Sequence, residues 1–272
     1  MSPRRLSLLS FNIQAGATTR RYREYVTRGW THVLPAKAKR GNLDAIAKVA
    51  AEFDIVGLQE ADPGSLRSSF LNQTHYLAEQ GGFPFWSHQA NRRVGGIASS
   101  ANGLLSRVEP TEVLDHVLPS RIPGRGALLV RYGADTGHLL VVITHLSLSI
   151  KARVIQLGHI SELVEGAEHI VVMGDLNCEA HAREMRVLYD RTGLRPPQHE
   201  ITTFPSWEPR RAIDHILVSD GMNVAKRWRL NEPLSDHLGI ACELHLPVVR
   251  GGAEAGTGNG ERGTVKGRGT AS

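Results

Sequence analysis

Apolar residues in this sequence occur mostly in short continuous runs, which are typical of buried strands. Two stretches, 43–53 and 151–165, instead have the spacing of an amphipathic helix, the second with Val154 and Leu157 in its apolar stripe. Strand-like runs outnumber these helices and alternate with them, which favours packed sheets with helices outside over a simple parallel sheet. The runs that predict strands are 6–13, 54–58, 139–144, 169–173, 213–218 and 238–246, with weaker signals at 103–106, 127–132 and 224–230.

Polar residues suited to catalysis stand at the ends of the strongest of these runs. Because strand ends are rigid, side chains placed there converge on one site at fixed separations. Carboxylate and amide oxygens hold hard divalent cations, while Asp and His align and deprotonate water and stabilise developing charge. Together these groups fit hydrolysis of a phosphate ester. The residues are Asn12, Glu60, His145, Asp175, Asn177, Asp214, Asp236 and His237.

Six segments carry these residues. They are Leu-Ser-Phe-Asn-Ile at 9–13, Ile-Val-Gly-Leu-Gln-Glu-Ala-Asp at 55–62, Ile-Thr-His-Leu at 143–146, Val-Met-Gly-Asp-Leu-Asn-Cys at 172–178, Ile-Asp-His-Ile-Leu-Val at 213–218 and Leu-Ser-Asp-His-Leu at 234–238. In this order they resemble the endonuclease/exonuclease/phosphatase superfamily, which includes AP endonucleases, pancreatic-type deoxyribonucleases, inositol-polyphosphate phosphatases, sphingomyelinases and deadenylases. One motif alone would be weak evidence, but six in order are specific.

The resemblance spans about 6–246 and implies a four-layer α/β/β/α sandwich, in which two packed, mainly antiparallel sheets are flanked by helices. We therefore expect a single domain over 1–249. The remaining residues, 250–272, are rich in Gly, Thr and charge and lack large apolar side chains. That composition predicts a disordered basic tail, because it cannot bury enough surface to offset the entropy lost on ordering.

The resemblance also implies a metal site. Glu60 is expected to be the principal ligand, with Asn12 nearby and Asp236 completing or approaching the metal shell. The expected ion is Mg²⁺, with Mn²⁺ as a substitute. AP endonucleases often carry an Asp two residues after the first-strand Asn, where this sequence has Gln14. That departure weakens the case for AP endonuclease activity and leaves general phosphoesterase chemistry intact.

The implied catalytic set surrounds an attacking water. Asp175 would orient or deprotonate this water, and Asn177 would hydrogen-bond the nucleophile or the phosphate. His237, with its orientation fixed by Asp214, would contact the phosphate or transfer a proton. His145 would donate to a non-bridging oxygen. Which of Asp175 and His237 acts as the base stays open.

Three further residues are candidates for contact with substrate. Arg125 lies in a Gly-rich loop, where a guanidinium can clamp a phosphate. Trp207 lies in a loop upstream of the Ile-Asp-His segment, where an indole can cover the substrate or stack on a base, although a Trp is more often a core residue. Asn102 is a third residue that could line the cleft.

Plainer interpretations compete with these roles. Asp175 and Asn177 could form an Asx-turn that caps a helix beginning near Glu179. A lone His145 could be a structural histidine. The ordered series of motifs favours catalysis for all three. His215 follows Asp214 on the same strand and is expected to face the opposite side.

The formal net charge of +5 is unevenly distributed. The 20–40 stretch holds seven basic residues against one acidic residue, together with two tyrosines and a tryptophan. Such a stretch suits a polyanionic partner, either nucleic acid or an anionic headgroup. It equally suits a solvated face, so both interpretations remain open.

Other features bear on location and assembly. Cys178 and Cys242 lie far apart and outside any metal-ligand spacing, which predicts reduced thiols in a cytoplasmic protein. No apolar run approaches the ~20 residues needed to span a bilayer. The N-terminus runs directly into a core strand, which argues against a signal peptide. No motif indicates oligomerisation, so we expect a monomer.

The expected function is metal-dependent hydrolysis of phosphate esters, foremost as a phosphodiesterase or nuclease. The alternatives are a phosphatase or lipid phosphodiesterase of the same fold, and a non-catalytic phosphate-binding module. Such a module usually lacks a ligand or part of the Asp/His set, and here all are present. Two-metal metallophosphatases also use a Gly-Asp motif, but they need an early Asp-x-His and a later Gly-Asn-His, which this sequence lacks.

Overall fold

The computed structural model describes residues 5–14, 36–65, 68, 70–94, 98–120, 124–133, 136 and 138–246. The tail predicted over 250–272 and most of the basic 20–40 stretch lie outside these residues. The helices are α1 (Ala36–Ala50), α2 (Gln73–Gly81), α3 (Ile150–Leu163) and α4 (Arg186–Tyr189), and a 3₁₀ turn spans Arg183–Met185. The strands are β1 (Arg5–Asn12), β2 (Ile55–Ala61), β3 (Phe85–Val94), β4 (Ala98–Ser106), β5 (Glu112–Val117), β6 (Gly126–Arg131), β7 (Leu139–His145), β8 (His169–Asp175), β9 (Leu194–Arg195), β10 (Asp214–Ser219), β11 (Asn223–Arg229) and β12 (Ile240–His245).

The described strands form two six-stranded sheets packed face to face. Their orders are β11-β12-β1-β2-β4-β3 and β5-β6-β7-β8-β10-β9. The core between the sheets contains side chains such as Leu8 and Ile143. A second core lies under α1 and α2 on the outside of the first sheet, and a third lies under α3 and α4 on the outside of the second. The three apolar cores thus separate four layers: helices, a sheet, a second sheet and further helices. This confirms the predicted α/β/β/α sandwich.

Each sheet contains one parallel pair, β1 with β2 and β7 with β8, and the other pairs of described strands are antiparallel. A parallel pair needs a crossover connection, which includes α1 in the first sheet and α3 in the second. The two strands of each pair therefore end at the same edge. Antiparallel β10 and β12 begin there. We call this the carboxyl edge of the sandwich.

Every strand predicted from the apolar pattern is present, but the helices needed correction. α1 begins at Ala36 and ends at Ala50, so the prediction of 43–53 is wrong at both ends. In α3, Val154 is 39% exposed, and the buried face holds Arg153 and Gln156 beside Leu157. The pattern misses α2. It also misses the edge strands β3, β5 and β9, because an edge strand needs no continuous apolar run: β5 is mostly exposed, and β9 has two residues.

Two glycines allow backbones to approach closely near the site. Gly174 in β8 has φ 152°, and a Cβ there would lie 1.8 Å from the carbonyl oxygen of Thr144 in β7. At Gly57 in β2, a Cβ would lie 2.8 Å from the Met173 methyl group of the opposing sheet. Gly174 thus permits the pairing of β7 and β8, and Gly57 permits the two sheets to pack.

Among the described residues, no helix has the length and apolar character needed to cross a bilayer. Cys178 and Cys242 are both buried and free, as the sequence predicts.

Replacing Gly174 by Ala should destabilise the fold by more than about 2 kcal/mol, because a methyl group would collide with a backbone atom that cannot turn away. The matched control is Gly41→Ala in α1, where a Cβ meets nothing within 4 Å. In a helix that substitution should stabilise by up to about 1 kcal/mol. Urea unfolding of both variants measures the difference. A Gly174→Ala variant as stable as the wild type would contradict the collision.

Candidate active site

The carboxyl edge collects the polar residues that the sequence singles out. Asn12 ends β1, and His145 and Asp175 end the parallel pair β7 and β8, directly opposite each other in register. Asp214 begins antiparallel β10 and pairs with Asp175. Asp236 and His237 lie in the turn before β12. The strand order therefore explains why residues distant in sequence meet at one place.

Asp175 is the centre of this cluster. Its Oδ2 accepts a hydrogen bond from Asn12 Nδ2 at 3.2 Å, across the gap between the two sheets. The same oxygen lies 3.4 Å from His145 Nε2 and 3.8 Å from His237 Nε2. All four side chains are buried. One carboxylate oxygen thus accepts a hydrogen bond from Asn12 and lies within 4 Å of an imidazole nitrogen of His145 and of His237.

Asp214 and His237 form the tightest pair in the site. His237 Nδ1 donates to Asp214 Oδ2 at 2.8 Å, and the hydroxyl of Thr203 donates to the same oxygen at 2.6 Å. Phe204 packs against the His237 ring with centroids 4.7 Å apart. These contacts fix the ring so that Nε2 points toward Asp175.

His145 and His237 differ in charge near pH 7. Burial lowers the pKa of His145 to about 3, although Asp175 acts in the other direction, so this ring is neutral near pH 7. Burial alone would also lower the pKa of His237, but the carboxylates of Asp214 and Asp175 outweigh it and raise the pKa to about 10. His237 is therefore protonated: Nδ1 donates to Asp214, and Nε2 carries a second N–H.

Glu60 reaches the site through a β-bulge in β2. The register between β2 and β4 shifts between Leu58 and Ala61, and Glu60 has a φ of 58°. Bulges re-aim side chains, and a left-handed residue other than Gly costs about 1 kcal/mol or more. Glu60 Oε1 lies 4.0 Å from His145 Nδ1, and the Glu60 side chain is 37% exposed. It is the most open carboxylate of the set.

Glu60 and Asp236 face the same space. Burial raises the pKa of Asp236 to about 6, His237 opposes this, and the charge of Glu60 raises it further. The side-chain oxygen of Asn12 accepts a hydrogen bond from the main-chain N–H of Gln14 at 3.2 Å. An amide oxygen has two lone pairs, so the second one is left for a cation. Two mutually repelling carboxylates beside an amide oxygen are a donor set that fits a hard divalent cation.

A different group is closer in purely geometric terms. Ligand atoms of Asp175, Asp214 and His237 all lie within 4.8 Å of one another. However, His237 Nδ1 and Asp214 Oδ2 are already joined by a hydrogen bond of 2.8 Å. A cation between them would have to break that bond and would repel the protonated ring. The existing hydrogen bond therefore argues against a metal ion within this group.

Asn177 has a structural task in addition to its predicted one. Its main-chain N–H donates to Asp175 Oδ1 at 3.0 Å, which is the Asx-turn considered as the plainer interpretation. Its Nδ2 donates to the carbonyl oxygen of Leu146 at 2.9 Å. Contact with substrate therefore falls to Oδ1 or to the second amide hydrogen. No helix begins near Glu179, and the next helical turn starts at Arg183.

The three residues predicted to touch substrate differ in position. The positive charge of Arg125 lowers the pKa of His145, so Arg125 lies within electrostatic range of the site. Trp207 is half-buried. The main-chain N–H of its neighbour Ser206 donates to the Asp236 carbonyl oxygen at 2.7 Å. Asn102 is fully buried, and its Nδ2 donates to the Gly126 carbonyl oxygen at 2.9 Å, so the contact that the structure shows is a structural one.

Sequence reasoning misses Thr203, Phe204 and Ser235. Thr203 holds Asp214, Phe204 supports His237, and the Ser235 hydroxyl donates to Asp236 Oδ1 at 3.1 Å. His215, as predicted, points away, with Nε2 2.8 Å from the Cys178 carbonyl oxygen. The sequence did contain a clue to these residues: each lies within or close to a segment that carries a predicted site residue.

Comparison with known proteins agrees with this arrangement. The model of the Endonuclease/Exonuclease/phosphatase family matches residues 9–237. An endonuclease/exonuclease/phosphatase from Beutenbergia cavernae DSM 12333 is 20% identical with a TM-score of 0.68, over 89% of this chain and 72% of that one. A mannosyl-6-phosphatase from Bacteroides thetaiotaomicron VPI-5482 is 20% identical with a TM-score of 0.63, over 88% and 99% of the two chains.

A third solved structure, a humanized TDP2 from D. rerio, is 15% identical with a TM-score of 0.61, over 89% of this chain and 99% of that one. These likenesses concern the fold. The comparison with curated proteins gives no significant match. On the match of the family model over most of its length, this chain belongs to the Endonuclease/Exonuclease/phosphatase family.

Proposed function

We propose that this protein is a metal-dependent hydrolase of phosphate esters, acting foremost on phosphodiesters such as nucleic acids, with Mg²⁺ as its metal. Members of its family are phosphoesterases. The observation that carries the proposal is the meeting at Asp175 Oδ2 of Asn12, His145 and His237, with Asp214 behind His237. A purely structural cluster would not leave a buried carboxylate between two imidazoles at the mouth of a sandwich.

In the proposed reaction, Asp175 aligns the attacking water and accepts its proton. Its carboxylate is held by the Asn12 amide on one side and by the Asn177 main-chain N–H on the other. A fixed acceptor avoids reorganisation as the proton moves.

His237 is proposed to donate from Nε2 to the phosphoryl group or to the leaving oxygen. Asp214 keeps the ring protonated and oriented through Nδ1. His145 remains neutral, so it serves as a hydrogen-bond donor to a non-bridging oxygen rather than as an acid. Arg125, within electrostatic range of His145, adds positive charge where the phosphate would lie.

Glu60, Asn12 and Asp236 are the proposed metal ligands. A bound divalent cation neutralises charge on the phosphate oxygens and orients the ester. The residues themselves provide one exposed carboxylate, one buried carboxylate and one amide oxygen. The openness of Glu60 leaves room for substrate on the same face.

The direct test is turnover of bis-p-nitrophenyl phosphate by the purified protein. We expect activity that EDTA abolishes and that Mg²⁺ or Mn²⁺ restores. The same assay with p-nitrophenyl phosphate, and a parallel panel of DNA, RNA, phospholipids and phosphomonoesters, determines the substrate class. Protein that is folded and metal-loaded yet hydrolyses none of these would sink the proposal and leave a binding module as the alternative.

Asp175→Asn and His237→Ala should each lower kcat by about 10²-fold or more while the fold persists, because each removes a group in direct contact with the reacting atoms. Matched controls are Asp220→Asn, at an exposed ion pair with Arg195, and His159→Ala on the outer part of α3. Both controls should keep wild-type kcat. Steady-state kinetics with circular dichroism separates loss of chemistry from loss of fold.

Glu60→Ala should raise the Mg²⁺ concentration needed for half-maximal activity by roughly 10-fold or more, because one charged oxygen ligand is lost. Calorimetric titration of Mg²⁺ into the protein measures the same loss without substrate. Glu79→Ala, at an exposed carboxylate on α2 that pairs with His75, is the control and should change neither quantity. An unchanged Mg²⁺ requirement in Glu60→Ala would remove Glu60 from the ligand set.

A further inference from the structure

Helix α3 turns two polar side chains inward at the level of the active site. Arg153 is 5% exposed and Gln156 is fully buried, whereas Val154 and Ile155 are 39% and 57% exposed. An amphipathic helix normally places its residues the other way round. Burying a charged pair is often less favourable than burying apolar residues of the same size. Stability alone therefore does not account for this orientation.

The Arg153 guanidinium joins two loops that leave the carboxyl edge. Its Nε and Nη2 donate to Glu184 Oε1 at 3.1 and 2.6 Å. Its Nη1 donates to the main-chain oxygens of Ser147 and Leu148 at 3.2 and 2.6 Å. Burial would raise the pKa of Glu184, but its bonds to Arg153 and the Arg153 charge lower it, so the pair is ionised.

Gln156 secures the same loop at a second point. Ser147 N–H donates to Gln156 Oε1 at 2.9 Å, and Gln156 Nε2 donates to the Ser147 hydroxyl at 3.0 Å. The preceding residue is held from the other side: Leu146 N–H donates to the Asp175 carbonyl at 2.9 Å, and Asn177 donates to the Leu146 carbonyl.

The 146–148 loop is the direct continuation of β7 beyond His145, and it bonds on one side to α3 and on the other to the end of β8. Glu184 lies in the segment that follows Asp175 and Asn177. Any displacement of this loop is therefore transmitted to His145, and any displacement of the 175–178 segment is transmitted to Asp175. Arg153 bonds directly to the 146–148 loop and, through Glu184, to the chain that follows the 175–178 segment.

We propose that Arg153, Gln156 and Glu184 are positioning residues, which fix the 146–148 loop against the segment after β8 and so hold His145 beside Asp175. This inference rests on the proposed function and deepens it. None of the three touches the reacting atoms. Their effect arises because a displacement of about 1 Å at a catalytic group can slow a reaction by about 10²-fold.

The test replaces the buried ion pair by apolar residues of similar size, Arg153→Met with Glu184→Leu. Replacing a buried ion pair is often neutral for stability, but the Ser147 and Leu148 main-chain oxygens lose their donor, so the double variant should melt below the wild type and stay folded at the assay temperature. We expect kcat to fall by about tenfold or more, with KM changed by less than about threefold, because geometry rather than binding is altered. A folded double variant with wild-type kcat would overturn the proposal.

The control is Arg107→Met. Arg107 likewise donates to main-chain oxygens, those of Ala51, Phe53, Gly81 and Gly82, but after β4 and therefore at the opposite edge of the sandwich. It should lower the melting temperature and leave kcat unchanged. An equal loss of kcat in Arg107→Met would mean that the effect at Arg153 is general loosening, which would also overturn the proposal.

A second variant, Gln156→Leu, keeps the proposal testable if the double variant does not fold. Hydrogen–deuterium exchange of the 145–148 amides serves as a readout that needs no activity. In Gln156→Leu we expect the 145–148 amides to exchange faster and kcat to be lower. Wild-type exchange there would overturn positioning even if the protein is an active phosphoesterase. Faster exchange in a protein inactive on every substrate would support the loop contact while the proposed function alone fails.

Discussion

The site depends on one close backbone contact, between Gly174 of β8 and Thr144 of β7. With any side chain at 174, a Cβ would overlap the Thr144 carbonyl oxygen. Because residue 174 is glycine, the two strands can pair in parallel up to their last residues, and His145 lies opposite Asp175. Antiparallel β10 then begins with Asp214 at the same position. Three polar residues are thus placed by strand register, before any side chain makes a contact.

The electrostatics of the cluster follows from this placement. His237 lies between two carboxylates and is held protonated, whereas His145 has burial as its dominant influence and is neutral. Two imidazoles a few ångströms apart can therefore perform different tasks in one reaction. Glu60 and Asp236 repel each other, and a divalent cation bound between them would relieve that repulsion. The proposed function thus places acid–base chemistry and metal binding in separate parts of one cleft.

The layers around the site show what this arrangement requires of the fold. The apolar cores keep the sheets together, while the polar contacts that adjust the cleft come from the surrounding loops and from α3. Thr203 and Phe204 support the Asp214–His237 pair from one loop. Arg153 and Gln156 support the loop after His145 from the helix. The proposed catalytic groups therefore lie on or next to strand ends, and neighbouring side chains adjust their positions.

The sequence by itself determined the central strands and the polar residues at their ends, because continuous apolar runs and polar strand ends are local patterns, and the order of its motifs implied the sandwich through a family resemblance. It placed Leu157 correctly in the buried stripe of α3 but not Val154, and it did not predict that Arg153 and Gln156 turn inward to bond a loop, which no helical periodicity describes. It also flagged Asn102, which the structure buries between the sheets, and missed Thr203, whose value lies in a 2.6 Å bond to Asp214. Contacts between segments distant in sequence are decided only by tertiary structure, because spacing along the chain carries no information about which polar groups face each other across the folded protein.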